Sequence, residues 1–194
     1  QESSAESMIK KGKYDIFFKG RGRDARKRLV LWSSRTGNTK AVAQAIYDAL
    51  PGDKDMIEEG REKDTAGYDL IFVGFWGFRR GADMAARRTL SSLHNHKVAI
   101  YGTAGTYPDS PAARDYLANA AALLPKDSTC LGTFICQGRV HSFHIGKRSE
   151  HAEKVHPMTP ERLARLREAE KHPNEEDFQK AAAWALEMVE KAGC

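Results

Sequence analysis

The sequence predicts an open α/β fold built on a parallel sheet, and three observations predict it. Short apolar runs alternate with helical periodicities from Arg28 onward. One run, Tyr68–Phe75, is apolar on both faces, as a strand covered from both sides must be. A turn rich in hydroxyls and glycine, Ser33–Thr39, lies directly between the first strand and the first helix.

The elements follow in order. Leu29–Trp32 is the first strand and Ala41–Leu50 the first helix, stopped by Pro51-Gly52. Lys54–Glu58 is a short strand and Tyr68–Phe75 the third. Ala82–Leu93 is helical, and Lys97–Tyr101 is a strand closed by Gly102. Ser110–Leu124 is a helix ended by Pro125, with Ser110 as N-cap before Pro111. Thr129–Cys136 is the last strand. Thr159 caps a short helix that runs to about Lys171, His172-Pro173-Asn174 breaks the chain, and Asp177–Lys191 is an amphipathic helix. Residues 1–27 are expected to form a basic arm ahead of a domain over 28–194. Residues 137–174 are expected as an insertion between the last strand and the last helix.

Of the 194 residues, 31 are Lys or Arg and 26 Asp or Glu, for a formal charge of +5. Residues 1–30 hold nine basic against four acidic side chains, and the remainder holds 22 of each. The basic character therefore belongs to the first segment. No recognised nucleic-acid motif accompanies it, so a nucleic-acid partner is not expected. Tyr14–Phe18 is too short, and too charged, for the core of a signal peptide. Met8 is a candidate start, with residues 1–7 as a linker. No run is apolar enough to span a bilayer. Three cysteines cannot build a secreted disulfide framework. Cys130 and Cys136 stand about 20 Å apart at strand rise, too far to bridge, and read as buried thiols of a reducing compartment. Cys194 has no lipidation box around it. The expected location is cytoplasmic, as a monomer or weak dimer.

Ligands of open parallel sheets bind at the carboxyl ends of the strands, where strand order reverses. The first loop there is Ser33, Ser34, Arg35, Thr36, Gly37, Asn38 and Thr39. Hydroxyls, a permissive glycine and a helix N-terminus make an anion site. The loop lacks the lysine of a Walker A motif and the Gly-x-Gly-x-x-Gly of a dinucleotide site. A polar capped turn without ligand is the alternative. The turn Thr36-Gly37-Asn38-Thr39, set within Leu29–Leu50, resembles the phosphate loop of the flavodoxin family, and the likeness extends over residues 28–137 and the last helix.

The resemblance implies a flavodoxin-like three-layer sandwich, with a five-stranded parallel sheet in order 2-1-3-4-5 and helices on both faces. It implies flavin mononucleotide (FMN) as cofactor. The second loop, Phe75-Trp76-Gly77-Phe78, would bring Trp76 against the flavin ring and the Gly77 peptide near its N5. Alternatively, Trp76 and Phe78 cover the sheet edge. Many family members carry acidic residues next; here Arg79 and Arg80 stand there, either tuning the flavin or facing solvent. The third loop, Gly102-Thr103-Ala104-Gly105, would offer amides to the pyrimidine edge, with Tyr107 as the outer stacking ring.

No nucleophile–base pair or carboxylate dyad stands out, so no catalytic residues are assigned and the chemistry would be the cofactor's. His141, His144, His151 and His156 match no zinc spacing, and no metal is expected. The family implies an electron carrier between a reductase and an acceptor, both redox proteins. Two other readings stay open: an FMN-dependent NAD(P)H reductase of a small substrate such as a quinone, and a binding module that has lost its flavin.

Overall fold

The computed structural model describes residues 26–61, 64–140 and 157–193. Nearly all of the expected arm, the four histidines at 141–156 and Cys194 lie outside the described residues. So does the middle of the 137–174 segment.

Eleven elements follow one another among the described residues: β1 (Lys27–Trp32), α1 (Asn38–Ala49), β2 (Asp53–Glu58), β3 (Leu70–Phe78), β4 (Gly81–Ala82), α2 (Met84–Ser92), β5 (Lys97–Ala104), α3 (Pro111–Ala121), β6 (Thr129–Gln137), α4 (Pro160–Ala169) and α5 (Glu175–Lys191). Five strands run parallel in the order β2-β1-β3-β5-β6. This is the expected order, with one addition. Two-residue β4 pairs antiparallel with the end of β3, Gly77 opposite Ala82 and Phe78 opposite Gly81.

Strand alternation sorts the core into two layers. Leu29, Leu31, Ile71, Val73, Val98 and Ile100 turn to one face, packing against Ala86 and Leu90 of α2 and Ala120 of α3. Val30, Phe72, Ala99 and Tyr101 turn to the other, against Val42 and Ile46 of α1 and Ala181, Ala185 and Met188 of α5. Each fully buried large side chain contributes about 1.5–3 kcal/mol of burial.

Boundaries differ from expectation where tertiary pairing extends an element. β3 runs on through Trp76-Gly77-Phe78 because β4 folds back on it, so the second loop is a hairpin. Its turn is Arg79-Arg80, with φ 47° and 60°. Left-handed backbone costs a side chain about 1–2 kcal/mol per residue, and glycine or asparagine is the usual occupant. β5 continues to Ala104 because β6 pairs with it residue by residue up to Gln137. Ser110 and Thr159 cap α3 and α4 as expected, each accepting an amide hydrogen bond from three residues on. Cys136 is buried, and burial, reinforced by Asp177, pushes its thiol far up. Cys130 is exposed, contrary to expectation, because it lies near the start of edge strand β6.

Order reverses at β1, whose two neighbours are reached in opposite directions. The crevice between the carboxyl ends of β1 and β3 is thus the expected ligand position, a rule that flavodoxin-type sheets themselves illustrate. Gly74 closes the floor below it. A Cβ there would lie 2.2 Å from Cζ of the buried Tyr101 ring. Tyr101 donates its hydroxyl to Leu31 O at 2.8 Å, and burial together with the Glu59 charge holds its phenol well above the ordinary value. Gly74→Ala is therefore expected to cost about 3 kcal/mol by overpacking, read as a lower midpoint in urea unfolding at unchanged slope.

Candidate functional site

The residue after β1 begins the site. The Ser33 amide donates to Gly74 O at 2.9 Å, continuing the ladder one step past Trp32. Ser34 Oγ then accepts the Gly37 amide at 3.0 Å, and Gly37 takes φ 90° to turn the chain into α1. A side chain at Gly37 would meet open space, so the conformation alone demands glycine.

α1 differs from its neighbours at this end. The N-caps of α2, α3, α4 and α5 (Asp83, Ser110, Thr159 and Asn174) all place a side-chain oxygen on the first-turn amides. α1 has no side-chain cap and no acidic residue in its first turn. Its leading amides keep their donor capacity and its dipole is uncompensated, which suits an anion.

A cleft of about 140 Å³ opens here, lined by Arg35, Thr36, Asn38, Trp76, Gly77, Thr103, Ala104 and Gly105 from the three expected loops and by Gly138, Arg139 and Val140. Arg35 lies 5.8 Å from the Trp76 ring, and the Trp76 and Phe78 rings stand 5.4 Å apart. Gly77 and Gly105 both mark close approaches. A Cβ on Gly77 would sit 2.9 Å from Ala104 Cβ and from the Tyr116 ring, and one on Gly105 2.3 Å from a Val140 methyl. Ligand pockets usually span about 300–1,000 Å³, so the described residues enclose only part of such a volume.

The other expected residues take different places. Thr39 is buried beneath the cleft, its Oγ1 2.9 Å from Thr103 Oγ1 and 3.5 Å from Phe75 O. Phe75 is wholly buried, its ring seated over Gly102 where any Cβ would collide. Strand alternation sends Phe75 to the core and Trp76 to the opposite side. Tyr107 is 40% exposed and does not line the cleft; its carbonyl accepts from Ser110 at 3.1 and 2.6 Å.

Sequence reasoning missed two features. Asp83 is buried, and its carboxylate accepts from Ser33 Oγ (2.9 Å), the Trp76 amide (3.2 Å) and the Ala85 and Ala86 amides (3.0 and 3.4 Å). It joins the first loop, the aromatic strand end and α2. An Asp opening a helix was the available signal, but its long-range partners were not. The second is Gly138-Arg139-Val140. Asn38 Nδ2 donates to Arg139 O (2.9 Å), the Gly138 amide to Ala104 O (2.9 Å) and the Arg139 amide to His172 O (3.0 Å). These bonds draw the segment over the cleft beside α1.

Comparison with known proteins gives a consistent picture. A family model described as a flavodoxin domain matches residues 29–185. BilS, a flavodoxin-like domain-containing protein of Clostridioides difficile (strain CD3), is 32% identical over 176 residues, covering 86% of this chain and 98% of that protein. An archaeal flavodoxin structure superposes with a TM-score of 0.53 at 15% identity, over 87% of this chain and 99% of the other. A short-chain flavodoxin associated with a non-canonical PDU bacterial microcompartment gives 0.52 at 14% identity, over 86% and 99%.

Loss of Asp83 should be costly, because it removes a helix cap and leaves two long-range donors unmatched. Asp83→Ala is expected to destabilise the chain by about 3 kcal/mol in urea unfolding, and Asp83→Asn, which retains one acceptor, by about half as much.

Proposed function

The chain belongs to the flavodoxin family, and on that footing we propose that its cleft holds FMN and that the protein carries electrons between a reductase and an acceptor. The observation that carries this reading is the uncapped N-terminus of α1, opening beside a half-buried Trp76 at the strand-order reversal.

The residues present fit that group. The Thr36 and Asn38 backbone and the first-turn amides of α1 receive the phosphate, with the Arg35 charge beside it. Trp76 supplies an aromatic wall for the ring. Gly77 and Gly105 let Ala104, Tyr116 and Val140 close in around the cleft, and Ala104 and Gly105 present main chain to the polar ring edge. Ser33, Ser34, Gly37 and Thr39 shape the loop from behind, and Phe75 and Gly102 set the floor. Phe78 backs Trp76, while Tyr107 stands at the outer margin. When bound, FMN supplies the exchange of electrons with other redox centres. The chain's part is to bind it, orient it and set the charge around it. Arg79 lies 5.2 Å over the Phe78 ring, so positive charge stands close behind the aromatic pair and favours the negative charge that reduction brings.

Titration of the purified full chain with FMN tests the reading. Saturable binding, followed by quenching of Trp76 fluorescence, is expected, and Trp76→Ala should weaken it about tenfold, or ~1.4 kcal/mol. A chain that takes up no FMN at micromolar concentration would instead be a binding module without flavin. Rapid reduction by NADPH alone would replace the carrier by a reductase of a small substrate.

In a redox titration, Arg79→Glu with Arg80→Glu should lower the reduction potential. An unchanged potential refutes the electrostatic role of the pair.

A further inference from the structure

Beyond the cleft, the hairpin between β3 and β4 bears a feature that folding does not require. Its two turn residues adopt left-handed backbone, where glycine or asparagine would sit without strain, yet both are arginine and both are exposed. The hairpin is held rigidly: Asn119 Nδ2 donates to Arg80 O at 2.7 Å, and the Arg79 guanidinium lies over Phe78. Arg35 and Arg139 line the cleft from its other two sides. The large apolar side chains standing most exposed among the described residues are Met84, 56% exposed at the start of α2, and Tyr107. Met84 follows the hairpin directly, and Tyr107 belongs to the third loop at this same end. Of the carboxylates near these residues, Asp83 is buried under four donors, Asp109 stands in the third loop beyond Tyr107, and Glu170 is exposed where the Arg139 guanidinium donates to its carbonyl at 3.3 Å.

Resting on the FMN reading of the cleft, we propose that this end of the sheet is a cationic docking face for a redox partner protein whose own electron-entry site is ringed by carboxylates. Arg35 and Arg139 line the opening and Arg79 and Arg80 stand on the hairpin behind Trp76 and Phe78, so an acidic rim meets complementary charge from several sides as it comes within electron-transfer range. Such a face raises the encounter rate and disfavours partners of like charge. Met84 and Tyr107 supply apolar contact at its margin, which an arrangement built to follow a nucleic-acid backbone does not need. Residues 31–194, these four arginines included, carry equal numbers of opposite charges, so within that span the positive face comes from placement.

Two small electron acceptors of opposite charge read the sign of the face. The full chain, loaded with FMN and reduced with dithionite under argon, is oxidised by anionic ferricyanide or cationic tris(phenanthroline)cobalt(III). Each metal ion takes up one electron, ferric iron becoming ferrous and cobalt(III) becoming cobalt(II). The ferricyanide rate is expected to fall about tenfold as ionic strength rises from roughly 10 mM to 500 mM, and the cobalt rate to rise. Arg79→Glu with Arg80→Glu, which leaves two positive against two negative side chains on the face, should flatten both trends. Arg79→Asn with Arg80→Gly, which suits the turn and removes only charge, should leave them about half as steep. Equal salt responses in wild type and both variants would overturn the proposal.

A second measurement needs no cofactor. Amides of residues 77–84, 105–107, 109 and 139 in the FMN-free chain should be broadened more by an anionic gadolinium chelate than by a neutral one at low salt. Uniform broadening overturns the cationic face. A failure to load FMN shows instead in the absorbance spectrum and removes the cofactor reading alone. Tight retention of duplex DNA at physiological salt, with no effect of acidic peptide, would overturn the choice of a protein partner.

Discussion

A buried carboxylate that must find donors organises the site end of this molecule. Asp83 sits under the hairpin with almost no solvent to hydrate it, and a charge so placed is tolerated only when its oxygens are saturated. The donors come from three separate pieces of chain: a hydroxyl after β1, an amide at the end of β3, and two amides of the first turn of α2. Satisfying them together leaves these pieces one mutual arrangement. That arrangement sets the start of α1 beside Trp76, and the cleft follows from it.

Below the cleft, small residues do the complementary work. Tyr101 crosses Gly74 and Phe75 crosses Gly102, so two aromatic rings lie flat on the sheet where any larger residue would lift them. The paired hydroxyls of Thr39 and Thr103 lock α1 to β5 at the level of the floor. A ligand bound on a fixed floor changes charge with little rearrangement around it.

Charge is arranged with the same economy. The cleft end of the sheet carries Arg79 and Arg80 on strained backbone, whereas the Lys27–Asp55 ion pair lies near the opposite end. Hydrogen bonds from Lys27 and Tyr68 hold the Asp55 carboxyl below the usual carboxylate pKa, so the contribution of the pair is present at neutral pH and disappears as acid protonates it. Among the described residues, the exposed Arg79 and Arg80 have no such ion-pair partner, and their positive charge faces outward.

Much of this was legible in the chain. Alternation of apolar runs revealed the parallel sheet, because strand period and helix period are local properties of a sequence. Ser110 and Thr159 announced their helices, since a cap needs only amides two or three residues away. Thr36-Gly37-Asn38-Thr39 announced the turn into α1 for the same reason. What the sequence could not determine were features closed by distant partners: the extension of β3 into a hairpin turned by two arginines, the gathering role of Asp83 across 50 residues to Ser33, and the bond from Asn38 to Arg139 across 101. Hydrogen bonds of that span exist only once the sheet has assembled, so only the tertiary structure decided which side chains face the cleft and which are spent in holding it open.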